Sequence, residues 1–153
     1  MTDWAQLFLE SNVDDVKVAE AVAAALSLER SQVRVVPGPS EQSVEAWQDT
    51  TVQAVVVRNT LFDLAGERFP VLLELQTRDA IEVTPDMVRA LGTALHTPFV
   101  TNVGGDPDGY RWSLVLPDGE MRTIRLDDDD QFVLTLDDAR AIARARMPAH
   151  RAA

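Results

Sequence analysis

The segment "WSLVLPDGEMRTIRLDDDDQFVL", residues 112–134, decides the fold class. Three apolar runs are joined by Pro-Asp-Gly and by four consecutive aspartates, and both connections favour turns. Just upstream, the sequence DPDG at 106–109 is a further turn signal. Short turns join antiparallel neighbours, so the last third of the chain is predicted to be a β-meander.

The hairpin around Gly119 has a register that the apolar pattern selects. A type I turn at Pro117-Asp118, with Gly119 as a left-handed bulge, sets Trp112 opposite Ile124. A two-residue turn would set Trp112 opposite Arg125 and mix charged with apolar residues. The bulged turn instead places these apolar residues on one face: Tyr110, Trp112, Leu114, Leu116, Ile124 and Leu126.

Five further strands are predicted upstream of the meander. They cover residues 4–10, 32–36, 51–59, 70–79 and 98–103. Their β-branched content and apolar alternation are typical of strands in a sheet. In the fourth of them, one face carries Val71, Leu73 and Leu75, and the other carries Leu72, Glu74, Gln76 and Arg78.

The first two helix signals lie in the amino-terminal third. One helix begins after a cap at Asn12 or Asp14, and acidic residues follow in its first turn. Its predicted apolar face comprises Val16, Val18, Ala19, Val22 and Leu26. A shorter helical segment follows Ser40 as cap and is expected to turn Trp47 inward.

Two later helices have stronger start signals. Thr84 is a cap and Pro85 occupies the first helical position, which favours a helix there. The predicted inward residues of that helix are Met87, Val88, Leu91 and Leu95. The last helix begins after Thr135, and Asp138 completes a capping box. Its predicted inward residues are Ile142, Ala143 and Met147.

The order of elements is β-α-β-(α)-β-β-α-β-β-β-β-α. It predicts an α+β fold, with a mainly antiparallel sheet, a C-terminal β-meander and about three helices packed on it. Residues 1–147 are expected to form a single α+β domain, which is an ordinary size. Residues 148–153 are expected to be a flexible tail.

Composition restricts the class of protein. The chain has no cysteine, which excludes disulfides, thiol nucleophiles and thiolate metal sites. The first residues lack the basic and apolar pattern of a signal peptide, and no apolar run is long enough to span a membrane. These features predict a cytoplasmic protein.

The net charge of −11 points to the kind of partner. All 25 acidic residues lie at or before Asp138, and four arginines follow it. Such a body repels nucleic acid and anionic lipid and attracts basic proteins. We therefore expect a basic protein partner, with a homodimer as a further possibility, and neither nucleic acid nor membrane binding.

The four aspartates do not match a known metal loop. Asp127, Asp129, Gln131 and Asp138 have the spacing of calcium-loop positions 1, 3, 5 and 12. The position that requires glycine is Phe132, which lies in a predicted strand. No metal or other cofactor is predicted.

Catalytic signatures are missing from the sequence. No nucleophile elbow, zinc-protease helix or phosphate-binding loop motif occurs. His96 is expected to lie at a helix C-terminus, where a capping role suits imidazole. Glu74 is expected to face solvent in mid-strand, and no catalytic residue is assigned.

The stretch from 84 to 136 contains ALHTPFVTN and a tryptophan-containing hairpin around LPDG. In this it resembles small, acidic, immunity-like bacterial proteins, a resemblance that implies no functional residue. Our hypothesis is a non-catalytic acidic interaction protein that binds a basic partner. The predicted partner-binding residues are Asp127, Asp128, Asp129 and Asp130. A small enzyme with a shallow acidic pocket and a homodimeric scaffold are the alternatives.

Overall fold

Eight strands and four α-helices make up the computed structural model, which describes residues 3–38, 43–59, 68–104, 111–127 and 131–146. The strands are β1 (Asp3–Leu9), β2 (Val33–Pro37), β3 (Ala54–Asn59), β4 (Val71–Thr77), β5 (Phe99–Thr101), β6 (Arg111–Val115), β7 (Met121–Leu126) and β8 (Phe132–Val133). The helices are α1 (Asp15–Ala25), α2 (Ser43–Trp47), α3 (Pro85–Leu95) and α4 (Leu136–Ala145).

All eight strands belong to one sheet, in the order β2-β3-β4-β1-β5-β6-β7-β8. The pair of β2 and β3 is parallel, and the other six neighbouring pairs are antiparallel. The predicted α+β class, the mainly antiparallel sheet and the C-terminal β-meander are therefore confirmed. The predicted loop between β3 and β4 and the DPDG turn lie outside the described residues.

Each face of the sheet packs against helices. On one face, α1 and α3 bury the main core, which includes Leu7, Leu75 and Phe99. On the opposite face, α4 covers a second core that includes Phe8 and Leu114. The short helix α2 covers a third, smaller cluster over β3 on that same face. The two faces predicted for β4 match these two sides of the sheet, because successive side chains of a strand point to opposite faces.

The hairpin between β6 and β7 has the predicted register. Trp112 lies opposite Ile124, and Gly119 has a φ of 91°, which a glycine adopts without strain. Gly119 N–H donates to the Leu116 carbonyl at 2.9 Å, and Leu116 N–H donates to the Glu120 carbonyl at 2.9 Å. The bulged turn is confirmed, while Tyr110 lies outside the described residues.

The predicted caps at Asp14, Thr84 and Thr135 are confirmed, the predicted cap Ser40 lies outside the described residues, and two inward assignments are wrong. Asp14 caps α1 and Thr84 caps α3, each accepting a backbone N–H of the first turn. Val16 was assigned to the buried face of α1, yet it is 59% exposed. Ala143 of α4 is also exposed. The other predicted inward residues of α1 are buried, as is Ile142 of α4, so Val16 and Ala143 lie outside the buried stripe of each helix. Met147 lies outside the described residues.

Candidate interaction surface

The first predicted partner-binding residue, Asp127, lies in the connection after β7. Asp127 N–H donates to the Gln131 carbonyl at 2.9 Å, and Gln131 N–H donates to Asp127 Oδ1 at 2.9 Å. These bonds close a turn between two antiparallel strands, β7 and β8. The prediction that the aspartates connect two strands is confirmed. Asp127 is exposed, and residues 128–130 lie outside the described residues.

Among the strands that the structure describes, β8 is the outermost at this end of the sheet and pairs with β7. Val133 in β8 is 45% exposed, and Leu136 at the start of α4 is 66% exposed. Large aliphatic side chains at an open sheet edge are a feature that proteins usually avoid or use for binding. Asp127 and Asp137 flank this pair in sequence, and both are exposed. The edge therefore combines apolar and acidic groups.

The opposite edge of the sheet, β2, is closed to strand pairing. Gly38 N–H donates to the Arg58 carbonyl at 2.6 Å on the β3 side, so alternate residues direct their backbone groups outward. One of these residues is Pro37, which has no N–H to offer. Another is Val33, whose carbonyl accepts from Arg30 Nη1 at 3.2 Å. These features limit strand pairing at β2, and β8, which is only two residues long and lies beside aspartates, is limited as a pairing edge in another way.

Helix α4 is fixed to β7 by a charged network that positions Leu136 and Asp137. Arg122 Nε donates to Asp138 Oδ1 at 2.7 Å, and Arg122 Nη1 donates to Glu120 Oε1 at 2.8 Å. Thr135 N–H donates to Asp138 Oδ2 at 2.9 Å, which completes the predicted capping box. Asp138 is only 4% exposed, so the box is part of the interior.

This network changes the pKa of both partners. Burial alone would raise the pKa of Asp138, but hydrogen bonds from Arg122 and Thr135 outweigh it and hold the pKa below its ordinary value. The pKa of Arg122 is raised, chiefly by its hydrogen bond to Asp138 and then by that to Glu120. Both groups therefore stay charged near neutral pH.

The other end of α4 is held by a second charged contact. The carboxylate of Glu10, whose side chain is 9% exposed, pairs with Arg146 just after α4. Arg68 Nε lies 3.3 Å from Glu10 Oε2, close enough for an ion pair but without hydrogen-bond geometry. Within α4, Arg140 Nη1 lies 3.9 Å from Asp137 Oδ1. At that distance, the exposed pair contributes little.

Arg78, near the sheet, donates hydrogen bonds to neutral acceptors. Arg78 donates to the Val52 carbonyl at 2.8 Å and to the Asp49 carbonyl at 3.2 Å. Its guanidinium also lies 4.8 Å from the centre of the Trp47 ring, a cation–π contact. Trp47 thus packs inward on α2, as predicted.

A cleft of about 530 Å³ lies where α1 begins, beside the ends of β3 and β4. Its central cation is Arg58, which is 16% exposed. Arg58 Nε donates to Asp15 Oδ1 at 2.8 Å, Nη1 donates to Asn12 Oδ1 at 2.7 Å, and Nη2 donates to the Val13 carbonyl. With its donors directed at these acceptors, Arg58 braces the start of α1 against β3.

Glu74 was predicted to face solvent, and that prediction is wrong. The residue is 5% exposed, because the face of the sheet that carries it is covered on both sides by the α2 and α4 clusters. Its neighbour Gln76 accepts a hydrogen bond from Trp47 Nε1 at 2.9 Å. Neither residue lines the cleft at α1 or a second cleft of about 350 Å³ beside β2 and α2. The geometry gives this pair a packing role.

Other candidate chemistry is limited in the described parts of the chain. His96 is exposed and ends α3 with a φ of 55°, which agrees with its predicted position at the helix C-terminus. Among the described residues, no group of three or more acidic or histidine side chains converges to hold a metal ion. No helix within those ranges has both the length and the apolar character needed to cross a membrane.

Sequence reasoning missed the contacts of Glu10, Arg58 and Arg78. Their partners are distant along the chain, as in Arg58 and Asn12, which are 46 positions apart. A local signal existed for one of them, since an arginine that ends a buried β-branched strand needs internal acceptors.

Comparison with known proteins adds nothing to the assignment: no family model, curated protein or solved structure matches this chain significantly.

Proposed function

We propose that this protein is a non-catalytic interaction protein of the cytoplasm, which binds a basic protein partner at the β8 edge and its acidic connection. The observation that carries the proposal is the open edge itself, where Val133 and Leu136 are 45% and 66% exposed beside acidic residues. Residues 124–140 contain six aspartates and two arginines, so the partner is expected to be basic.

The two kinds of group have different roles in this proposal. The aspartates at 127–130 attract a basic surface and raise the association rate. The aliphatic side chains of Val133 and Leu136 are desolvated on contact, at about 25 cal/mol per Å² of apolar surface, and so prolong the complex. Because Val133 and Leu136 are exposed beside acidic residues, the proposal assigns the binding to the β8 end of the sheet.

A charge-matched comparison tests the proposal. One variant replaces Asp127, Asp128, Asp129 and Asp130 by asparagine. The control replaces four exposed acids elsewhere by their amides: Glu20, Glu45, Glu82 and Asp86. Both variants gain the same charge. Affinity capture from cells that make the protein, followed by cross-linking, should retain the partner with the wild type and the control and lose it with the Asp127–Asp130 variant.

A second pair of variants separates the effect of the acidic residues on association from the effect of the apolar residues on dissociation. Val133→Ser combined with Leu136→Ser should speed dissociation of the captured partner with little effect on association. Val16→Ser combined with Val44→Ser is the control, because those aliphatics are also exposed but lie on α1 and α2. Equal loss in the two charge variants, or capture unaffected by the β8 variants, would refute the proposal.

A further inference from the structure

In the meander of β6, β7 and β8, the part of the sheet that α3 does not cover carries two arginines on neighbouring strands. Arg111 lies opposite Arg125, and Arg125 lies opposite Val133 on the next strand. These residues share one face, because directly paired residues of neighbouring strands point the same way. All three are exposed, as is Thr123 one row away. The row therefore joins two guanidinium groups to an aliphatic side chain.

The two arginines occupy the closer kind of cross-strand pair. Leu116 N–H donates to the Glu120 carbonyl, and every second pair from there along the ladder is hydrogen-bonded. Arg111 and Arg125 thus form a non-hydrogen-bonded pair, in which Cα atoms are about 4.5 Å apart and the side chains approach closely. Like charges directly opposite each other destabilise a sheet unless an anion lies between them.

Neither arginine has a partner among the residues that the structure describes. No hydrogen bond or ion pair joins Arg111 or Arg125 to them, in contrast to Arg58, Arg78 and Arg122. A carboxylate accepts paired N–H bonds from guanidinium groups, and these charge-assisted bonds are stronger than neutral ones. The exposed pair is thus suited to one carboxylate placed between the two side chains.

We propose that this open face of β6, β7 and β8 is a second docking surface, which binds an extended acidic segment of a protein. A flat sheet face buries little of a small molecule, so affinity must come from a longer ligand. An extended chain alternates its side chains, which lets a carboxylate reach Arg111 and Arg125 while an apolar neighbour contacts Val133. The net charge of −11 opposes any anionic ligand, but it repels a nucleic acid, which carries a phosphate on every nucleotide, more strongly than a segment that places one carboxylate at the arginine pair. The two surfaces share Val133, so their partners would compete there, but the evidence for this face does not depend on the proposed function.

The test uses the full chain and a defined probe. A short extended peptide of alternating glutamate and valine is titrated while backbone amide shifts are recorded by NMR at low salt. The shifts are expected at Thr123, Arg125 and Val133. Replacing both arginines by glutamine should weaken binding by about tenfold or more, since charge-assisted bonds are lost. The control replaces Arg140 and Arg144, two exposed arginines of α4, by glutamine.

The outcomes are distinct. The inference is supported if the arginine-pair variant loses the peptide and the α4 variant keeps it, and if a peptide with serine in place of glutamate does not bind. It is overturned if the peptide does not bind, if both variants lose it equally, or if shifts map elsewhere. A single-stranded oligonucleotide that binds this face more tightly than the peptide also overturns it. The Asp127–Asp130 variant should bind the peptide at least as well as wild type, which separates this test from that of the proposed function.

Discussion

Arginine has opposite roles at different positions of this chain. Arg78 donates to the carbonyls of Val52 and Asp49 and packs on an indole ring. Arg111 and Arg125 are exposed and face each other across two strands. The thirteen arginines are equivalent in composition, and only their neighbours in space distinguish them. Which arginines are free to bind a partner is therefore a property of the fold.

Asp138 is the residue whose loss should cost the most stability at the β8 edge. Asp138→Ala is expected to lower the free energy of unfolding by about 2–4 kcal/mol, because Arg122 and the Thr135 N–H lose their buried acceptor. Urea denaturation at neutral pH measures the change. Asp137→Ala is the matched control, since its side chain is 79% exposed, and should change stability by about 0.5 kcal/mol or less. Equal effects would show that the buried network is not stabilising.

The same carboxylate predicts a pH dependence. Hydrogen bonds from Arg122 and Thr135 overcome the effect of burial and hold the pKa of Asp138 below its ordinary value. Its stabilising contribution is therefore complete above the unfolded-state pKa of about 3.9 and is lost as the pH falls through the lower folded-state pKa. The stability difference between wild type and Asp138→Asn should be constant near neutrality and shrink in strong acid. A difference that instead grows as the pH falls would contradict the assigned direction.

At the scale of elements, the packing of α3 on β6 depends on a glycine inside the helix. A Cβ atom added at Gly92 would lie 2.6 Å from Val115 Cγ1, closer than packed atoms approach. Gly92→Ala gains about 1 kcal/mol of helix propensity, but the overlap should outweigh it and lower the melting temperature. Thr93→Ala, at an exposed position of α3, should keep or raise it. A higher melting temperature for both variants would show that α3 is free to shift.

The elements themselves were largely predictable from sequence, because their signals are local. Turn residues such as Gly119 and caps such as Thr84 act within a few positions, and the apolar pattern alone selected the hairpin register. Burial was less predictable. Glu74 looked solvent-facing in an alternating strand, yet α2 and α4 approach its face of the sheet from both sides. That coverage depends on which strands become neighbours, which local pattern does not encode.

The candidate interaction surface was predictable only in part. The acidic connection was evident from four consecutive aspartates, and its place between β7 and β8 followed from the register. The exposure of Val133 in β8 and of Leu136 at the start of α4 was not evident, since apolar residues in such elements are usually buried. The position of β8 as the last strand of the sheet was not deducible either, because local sequence does not encode strand order.

At the scale of the whole molecule, several arginines join separate elements through hydrogen bonds and ion pairs. Arg58 holds α1 to β3, Arg122 holds α4 to β7, and Arg146 holds the end of α4 to Glu10. The surface that remains is acidic, consistent with the net charge of −11. Such a surface favours solubility and rapid encounter with basic proteins, while it weakens the folded state slightly by self-repulsion.

That self-repulsion gives a final prediction for the acidic connection. Replacing Asp127 to Asp130 by asparagine should leave the melting temperature unchanged or raise it, because neighbouring like charges are removed. An asparagine at position 127 can still accept the hydrogen bond from Gln131 N–H. Added salt should narrow the difference from wild type by screening the charges. Calcium or magnesium should not shift the wild-type melting temperature, whereas ligand binding to the folded state would raise it in a saturable way. A saturable rise with wild type that the variant lacks would instead identify these aspartates as an ion site.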